Sequence, residues 1–444
     1  MQITGANNGS LRELMDNTLQ NLRNANENNY LSAKIASGRG KIEVVDANKR
    51  GFIVALDYST MPGFGYMSPN PSNGTDTGNL VTTYSPSLDR MTANYQYIQT
   101  GHEVDNENLA NSKGGMHVGA TAKALAISKE LDRRLEVEEW FFCRGDGSQI
   151  IGDITAGVSI AASATGTLTL SGSRDGAGAW MLRKGQRIRI YDVTLVTLKS
   201  KATVSAKTSN TAVSIIPDSN LTSGNAVVDT DVVLPESDTA TPTTTGVKGC
   251  PYLFKASGNY FDKSLSSVPA LQAIIDSSTT TFTRTTFEFL RRRHKSIRNN
   301  GAVNTHIAAS PAQVSNYYAQ FYAGNSAQVN IIGNQKPGID IGGNSEDYTY
   351  WGAMINEYKL LHPKNWWFLD PSSIMRLTLK EAGTMLTMNS EYIQKIAGGA
   401  YINAMQHWSD DYFEYLSNNP AKNAGFTALS FTGLPLLKDD PFVG

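Results

Sequence analysis

The chain has 444 residues, about two to three times the length of a typical domain, so two or three domains are expected. Its 39 basic and 40 acidic residues leave a net charge of −1, which excludes a strong overall attraction to nucleic acid or an anionic membrane. Two cysteines are too few for a disulfide framework. With no signal-peptide pattern and no long apolar run, we expect reduced thiols and a cytosolic chain without a membrane span.

A short amphipathic helix is predicted after Ser10, which forms a capping-box pattern with Glu13. Such a helix is marginally stable alone, so we expect it to dock on a larger surface, with another subunit as one candidate. The apolar positions that recur at helical spacing are Leu11, Leu14, Met15, Leu19 and Leu22.

A long projecting loop is predicted over residues 61–80, which are rich in proline and glycine. Strand patterns at 41–56 and 90–99 flank this loop and could be the two legs of one extension. A loop of this length is expected to have a function such as gripping a neighbouring subunit. Its large apolar side chains near the start are Met61, Phe64, Tyr66 and Met67.

The strongest helix pattern runs from about Met116 to Phe142 and would be about 40 Å long. One face is predicted to be buried and the other to be charged, as in an element along which other parts are arranged. The buried stripe consists of Ala120, Ala124, Ile127, Leu131 and Leu135.

A Thr-, Ser- and Gly-rich region follows, and its short strand patterns predict a small inserted antiparallel β-barrel or sandwich that closes with a linker at 239–246. Strands are predicted here at 167–170, 187–196, 202–204, 213–216 and 227–234. Beyond the linker the pattern is mixed: helices at 268–277, 286–299, 311–322 and 391–396, strands at 305–308, 350–361 and 366–369, and an extended 426–437.

No residue pattern indicates an enzyme, a metal site or a cofactor, since the six histidines are scattered and no nucleophile or phosphate-loop motif occurs. The tripeptide Arg144-Gly145-Asp146 is interpreted as a helix-terminating turn. Trp366, Trp367 and Phe368 are expected in a core or interface. A basic run on a predicted helix favours salt bridges to neighbouring subunits or domains over phosphate contacts, because consecutive side chains point in different directions: Arg291, Arg292 and Arg293.

The order of these parts resembles the major capsid protein of tailed bacteriophages, which has the Hong Kong 97 fold. The stretch 139–148, Glu-Trp-Phe-Phe-Cys-Arg-Gly-Asp-Gly-Ser, resembles the helix-ending segment of one branch that carries a β insertion. The stretch 182–190, Leu-Arg-Lys-Gly-Gln-Arg-Ile-Arg-Ile, is similar to a strand of that insertion. The usual Asn-Arg before Gly-Asp-Gly is replaced here by Phe-Cys-Arg.

The resemblance implies an α+β capsid fold with an inserted antiparallel barrel or sandwich. The implied parts are an N-terminal arm (1–40), an extended loop with peripheral-domain strands (41–113), a spine helix (114–150), the β insertion (151–246), an axial domain (247–390) and its remainder with a return strand (391–444).

The implied function is that of a shell subunit, assembled in the bacterial cytoplasm as hexamers and pentamers of an icosahedral head. Packaged double-stranded DNA would be a non-specific partner, and portal, scaffolding or decoration proteins are further candidate partners. Two alternatives remain open: a receptor- or glycan-binding fibre, tail or decoration protein, and an encapsulin-type cellular shell.

Overall fold

In the computed structural model the described residues are 30–37, 52–55, 90–105, 118–171, 178–209, 211–222, 225–237, 246–281, 283, 285–286, 290, 306–321, 349–350, 353–378, 386–387, 393–397 and 400–430. The predicted N-terminal helix and the predicted loop at 61–80 lie outside these residues, as does most of the predicted helix at 286–299. The described part is a mixed α/β protein that contains a closed six-stranded barrel.

The longest described helix confirms the strongest sequence prediction. The helices whose bounds are described are α1 (Leu31–Ser37), α2 (Val118–Arg144), α3 (Cys250–Leu253) and α4 (Pro311–Phe321). At 27 residues, α2 spans about 40 Å. Leu131 and Leu135 on its predicted apolar stripe are buried. The bounds of α4 match the predicted helix at 311–322.

A two-stranded antiparallel sheet joins β1 (Phe52–Ala55) to β2 (Arg90–Ala93), with Phe52 opposite Ala93. The prediction that these two segments are paired legs is confirmed for the described residues. In β2, alternate residues Met91 and Ala93 are buried and their neighbours are exposed, as expected for a strand with one face on the core.

The second sheet is built around one strand of 18 residues. Its members are β3 (Gln96–Asp105), β17 (Ile374–Thr378), β18 (Leu386–Thr387), β19 (Ile393–Ala397) and β20 (Ala400–Ser417). The other four all pair antiparallel with β20. The longest ladder joins β20 to β3 over ten residue pairs, from Phe413↔Gln96 to Ala404↔Asp105. This sheet therefore ties the C-terminal part of the chain to the segment that precedes α2.

The six-stranded barrel lies between α2 and α3 in the chain. Its strands are β4 (Gly152–Ile154), β5 (Gly166–Ser171), β6 (Arg187–Tyr191), β7 (Leu198–Lys207), β8 (Ala212–Pro217) and β9 (Val232–Pro235). They close in the order β4-β5-β8-β7-β6-β9, with antiparallel neighbours throughout. Apolar side chains such as Leu168, Ile188, Val204, Ile215 and Val233 are buried in it. The expected antiparallel β-structure is thus a closed barrel rather than a sandwich.

The third sheet has six strands in the order β12-β21-β16-β13-β15-β14. They are β12 (Ile274–Asp276), β13 (His306–Ala309), β14 (Thr349–Tyr350), β15 (Ala353–Glu357), β16 (Trp366–Leu369) and β21 (Ala424–Phe426), and a separate hairpin pairs β10 (Asn259–Tyr260) with β11 (Lys263–Ser264). Trp366, Trp367 and Phe368 are fully buried, which confirms their predicted place in a core.

Two helix predictions are wrong. Residues 268–277 form a short 3-10 turn, Pro269–Leu271, and then β12, which pairs in parallel with β21. Residues 391–396 fall largely in β19, whose partner is β20. In both cases the local apolar spacing fits a helix, but strand pairing decides the structure. The partner of β12 is distant in the chain, whereas β20 directly follows β19. The strand predicted for 187–196 also ends early, at Tyr191, because the next residues form a turn.

Candidate functional site at the end of the long helix

All the residues proposed for inter-subunit contacts lie outside the described part of the chain: Leu11, Leu14, Met15, Leu22, Met61, Phe64, Tyr66, Met67, Arg291, Arg292 and Arg293. Within the described part, polar and charged groups from distant segments converge on the C-terminal half of α2. This cluster is the helix-end junction, formed by Glu138, Glu139, Cys143, Lys248, Arg376, Glu414 and Tyr415.

Glu138 joins α2 to the second sheet. Arg376 Nε donates to Glu138 Oε1 at 2.7 Å, and the Tyr415 hydroxyl donates to the same oxygen. Both members of the ion pair are buried, and the Arg376 guanidinium lies 4.4 Å from the centroid of the Phe413 ring. Burying a carboxylate costs free energy unless it is paired. Arg376 of β17 and Tyr415 of β20 supply the partners that offset this cost for Glu138.

Glu139 joins α2 to α1. Its two carboxylate oxygens accept hydrogen bonds from the backbone N–H groups of Leu31 at 2.9 Å and Ser32 at 2.7 Å. These donors belong to the first turn of α1, where helix N–H groups lack intrahelical partners. Because Glu139 is fully buried, desolvation raises the pKa of its carboxyl group above the usual range.

Cys143 donates to Glu139 Oε1 at 3.1 Å. Desolvation, followed by the nearby Glu139 charge, raises the pKa of the Cys143 thiol well above its usual value, and burial does the same for Cys250. Both cysteines are free and buried. A thiol with a raised pKa is a poor nucleophile, so Cys143 is suited to packing rather than to covalent chemistry.

Glu414 brings the segment after the barrel to the same sheet. Its carboxylate accepts from the Lys248 backbone N–H at 2.9 Å and from Lys248 Nζ at 3.0 Å. Gln96 Nε2 in β3 adds a longer contact of 3.4 Å. Burial raises the pKa of the Glu414 carboxyl group, while the Lys248 charge and its hydrogen bonds oppose that shift.

The chain enters and leaves the barrel through a narrow crossing, here called the neck, formed by residues 145–149 and 246–249. Asp146 and Lys248 form an antiparallel bridge. A Cβ added to Gly249 would lie 2.1 Å from the Phe142 carbonyl oxygen, and one added to Gly246 would lie 2.0 Å from that of Ser148. The absence of side chains at these glycines lets the two segments cross in contact.

The predicted turn at Arg144-Gly145-Asp146 is confirmed as the first part of the neck. Helix α2 ends at Arg144, and the Gly145 N–H donates to the Phe141 carbonyl at 2.6 Å. The Asp146 carboxylate then accepts from the Ser148 backbone N–H at 2.9 Å and from its hydroxyl at 2.6 Å. The tripeptide therefore stops the helix and starts the crossing.

The barrel also contacts the side of α2. Arg133 donates to the Met181 carbonyl and pairs with Glu136. Arg183 Nη2 lies 3.3 Å from each oxygen of the Glu136 carboxylate. With the neck, these contacts attach the barrel to the long helix at two points, which restricts its rotation.

A cavity of about 210 Å³ lies beside the neck, lined by residues that include Trp140, Cys143, Ser148, Pro251 and His362. In the described part of the chain no group of three or more His, Cys, Asp or Glu side chains is arranged to hold a metal ion. Among the same residues, no helix is long and apolar enough to cross a membrane. The contacts of the junction are ion pairs and hydrogen bonds between segments.

The junction is not evident from the sequence, whose pattern predicts that the charges of α2 lie on an exposed face. Glu130, Arg134, Glu138 and Glu139 are instead buried. A signal was present: Glu138 and Glu139 stand three and four residues after Leu135 and so continue the buried stripe. Carboxylates on such a stripe require partners from other segments.

No protein-family profile matches the chain. No curated protein matches it either. Solved structures similar to the chain include the capsid asymmetric unit of cyanophage A-1(L), which is 10% identical, covers 87% of this chain and 90% of the other, and has a TM-score of 0.44. The capsid of a native GTA particle is 10% identical, with 89% of each chain covered and a TM-score of 0.43. A structure of Mycobacterium phage Patience is 9% identical, covers 97% of this chain and 90% of the other, and has a TM-score of 0.39. Each of these TM-scores is below 0.5.

Proposed function

We propose that this chain is a major capsid protein with the Hong Kong 97 fold, a structural subunit that assembles into the icosahedral head of a tailed phage around its double-stranded DNA. The observation that carries the proposal is the order of the parts along the chain. The paired strands β1 and β2 are followed by the 27-residue helix α2, the closed barrel and a mixed sheet. That order matches the resemblance found in the sequence.

The helix-end junction supports a structural role. Segments from residues 31–32, 248, 376 and 414–415 all bind the end of α2 or the strand beside it. In a shell, contacts with neighbouring subunits place load on each subunit. Ion pairs and hydrogen bonds between remote segments would help the subunit to keep its fold under that load. This role involves no catalytic step and no cofactor.

The inter-subunit contacts are part of the proposal. The apolar residues of the N-terminal arm and of segment 61–80 would pack on neighbouring copies, and Arg291, Arg292 and Arg293 would form salt bridges there. The near-neutral chain would leave packaged DNA weakly held, because few phosphates would be neutralised. Hexamers and pentamers would form in the host cytoplasm, with the domain boundaries proposed from the sequence.

The test is negative-stain electron microscopy with light scattering of the chain expressed alone. Closed shells, or rings of five or six copies, are expected. A compact monomer or trimer that never assembles, even when concentrated with cell lysate, would instead favour a fibre-type binding protein. Glycan screening of the barrel would then follow.

A variant tests the proposed role of segment 61–80. Replacing Met61, Phe64, Tyr66 and Met67 together by serine should leave a folded monomer that does not form stable shells. The matched control replaces three polar residues of the same segment, Asn70, Asn73 and Thr75, by serine and should assemble normally. Normal shells from the variant that lacks the four apolar side chains would contradict the proposed role of this segment.

A further inference from the structure

The three buried carboxylates of the helix-end junction differ in what offsets their charge. Glu138 is paired with Arg376, and Glu414 is paired with Lys248. Glu139 is also fully buried. Within the part of the chain that the structure describes, however, its carboxylate accepts hydrogen bonds from uncharged groups alone. Burying an ionised carboxylate without a cation costs free energy, so the donors around Glu139 decide whether its charge is tolerated.

Most of those donors belong to one short segment, helix α1. The Leu31 N–H donates to Glu139 Oε1 at 2.9 Å, the Ser32 N–H donates to Oε2 at 2.7 Å, and the Ser32 hydroxyl also donates to the carboxylate. The other donor is the Cys143 thiol of α2, whose sulfur lies 3.1 Å from Oε1. Without α1, the weak thiol donor would be the only one of these partners to remain.

Helix α1, here called the strap, depends on this contact in turn. With seven residues it is too short to be stable in isolation. Its apolar side chains Leu31, Ala33 and Ile35 are buried, and it packs against α2 and β17. The first-turn N–H groups that donate to Glu139 have no acceptors within the helix. The strap and the carboxylate therefore satisfy each other, and water must replace both sets of hydrogen bonds when they separate.

The strap is held by a small part of the core. It contributes Leu31 and Ile35 to a large apolar cluster whose other members come from α2, the barrel and the sheets. Segments with few buried contacts open at a lower free energy than the free energy of unfolding of the whole chain. The strap can therefore separate from α2 at a free-energy cost that leaves the rest of that cluster intact.

We infer that the strap opens and closes over the end of α2 while the rest of the chain stays folded, and that the Glu139 carboxylate sets how tightly the strap is held. Residues 1–29 precede the strap in the chain, so its docking fixes the point from which that segment starts. The inference concerns the single chain and does not depend on shell assembly. Its failure would therefore leave the proposed function standing.

Docking of the strap should depend on pH with a definite sign. Desolvation raises the pKa of Glu139 in the docked state, whereas opening returns the carboxylate to water. The docked state therefore binds the proton more readily, and docking should strengthen as the pH falls through the docked-state pKa. Burial also raises the pKa values of Tyr30, Cys143 and Cys250, so these groups stay neutral where Glu139 titrates. The other charged groups around the contact are Asp132, Glu136, Arg144 and the Glu138–Arg376 pair.

The test is hydrogen exchange of the full-length unassembled chain, followed by mass spectrometry over a range of pH. Protection is the observed exchange rate relative to the intrinsic rate at each pH. We expect residues 31–37 to be at least about ten-fold less protected than residues 131–142 of α2, because the strap opens by itself. Their protection should fall by up to about ten-fold per pH unit as the pH rises toward the docked-state pKa of Glu139. Equal protection of the two segments at every pH would overturn the inference.

Two variants assign the pH dependence to one carboxylate. Glu139→Gln keeps an acceptor oxygen but has no charge, so protection of residues 31–37 should no longer change with pH. The matched control is Asp132→Asn, at an exposed position of the same helix, which should keep the pH dependence of the unaltered chain. The same pH dependence in Glu139→Gln and the unaltered chain would show that Glu139 does not hold the strap.

A second measurement leaves Glu139 unaltered and uses Cys143 as the probe, since its thiol donates to the same oxygen as the strap. The rate at which a thiol reagent labels Cys143 at constant pH is measured by peptide mapping. Ile35→Ala weakens the apolar contact of the strap and should speed this labelling by about ten-fold or more. The control, Val314→Ala in α4, removes a buried side chain of a separate apolar cluster and should leave the rate unchanged. Equal acceleration in both variants, or in neither, would contradict a separately opening strap.

Discussion

Arg376 and Glu138 stand 238 residues apart in the chain, yet their side chains meet at 2.7 Å in a buried ion pair. The pair connects strand β17 to the end of helix α2, and Tyr415 of β20 donates to the same carboxylate. A buried ion pair adds little net stability relative to an apolar pair of the same shape. Removing one partner, however, leaves the charge of the other partner buried and unpaired. Its contribution is therefore to fix how helix and sheet meet.

The Arg376→Met variant should be destabilised by about 3–5 kcal/mol, because Glu138 remains buried without its cation. Glu138→Gln should be destabilised for the reciprocal reason. The double variant should lose less than the sum of the two, since neither charge is left behind. Denaturant unfolding of the unassembled chain measures all three, and strictly additive losses would show that the two residues do not interact.

The Gly249→Ala variant should be strongly destabilised or fail to fold, since the new Cβ would lie 2.1 Å from the Phe142 carbonyl oxygen. Gly185→Ala is the comparison: its φ of 86° is unfavourable for alanine, but its Cβ would meet no atom within 4 Å. That variant should lose only about 1 kcal/mol. Thermal unfolding of both checks the ranking, and equal losses would argue against a close crossing at the neck.

Two contacts between α2 and the barrel should differ in strength. Arg183 pairs with Glu136 from a side chain that is 43% exposed, so Arg183→Ala should cost less than about 1 kcal/mol. Arg133 is less exposed and donates to the Met181 carbonyl, so Arg133→Ala should cost about 1–3 kcal/mol. Urea unfolding of the two variants tests this order, and a reversed order would show that the carbonyl contact is unimportant.

Stability should rise as the pH falls from neutrality toward the unfolded-state pKa of a glutamate. Burial raises the pKa values of Glu139 and Glu414, so the folded chain binds these protons more readily than the unfolded chain. Each group therefore contributes more stability as the pH falls through its folded-state pKa, down to the unfolded value of about 4.3.

At lower pH the trend should reverse. The hydrogen bonds from Thr194 to Asp192 and from Arg187 to Asp218 lower the pKa values of these carboxyl groups, so their contribution is lost as the pH falls below about 4. Melting temperatures of the unassembled chain at constant ionic strength measure both trends. Glu139→Gln should show a flatter rise in stability as the pH falls from neutrality, and an unchanged slope would exclude Glu139 as a source of that rise.

Local sequence patterns determined much of the secondary structure. Apolar residues at helical spacing predicted α2 and α4, and the Trp-Trp-Phe run predicted β16. Short alternating stretches predicted most strands of the barrel. These predictions hold because each pattern is fixed by residues close in sequence, where side-chain period and turn residues specify the backbone. The helix stop at Gly145 belongs to the same class.

The tertiary structure decided what depends on pairing partners. Residues 274–276 and 393–397 are strands because β21 and β20 offer them backbone partners, although their own spacing fits a helix. Glu138 and Glu139 are buried because Arg376, Tyr415 and the first turn of α1 supply the hydrogen bonds that replace water. The sequence by itself determined the period of each segment, whereas only the folded chain could determine which backbone edge or opposite charge lies across from it. For Glu139 and Glu138, the partners Leu31 and Arg376 lie 108 and 238 residues away in the chain.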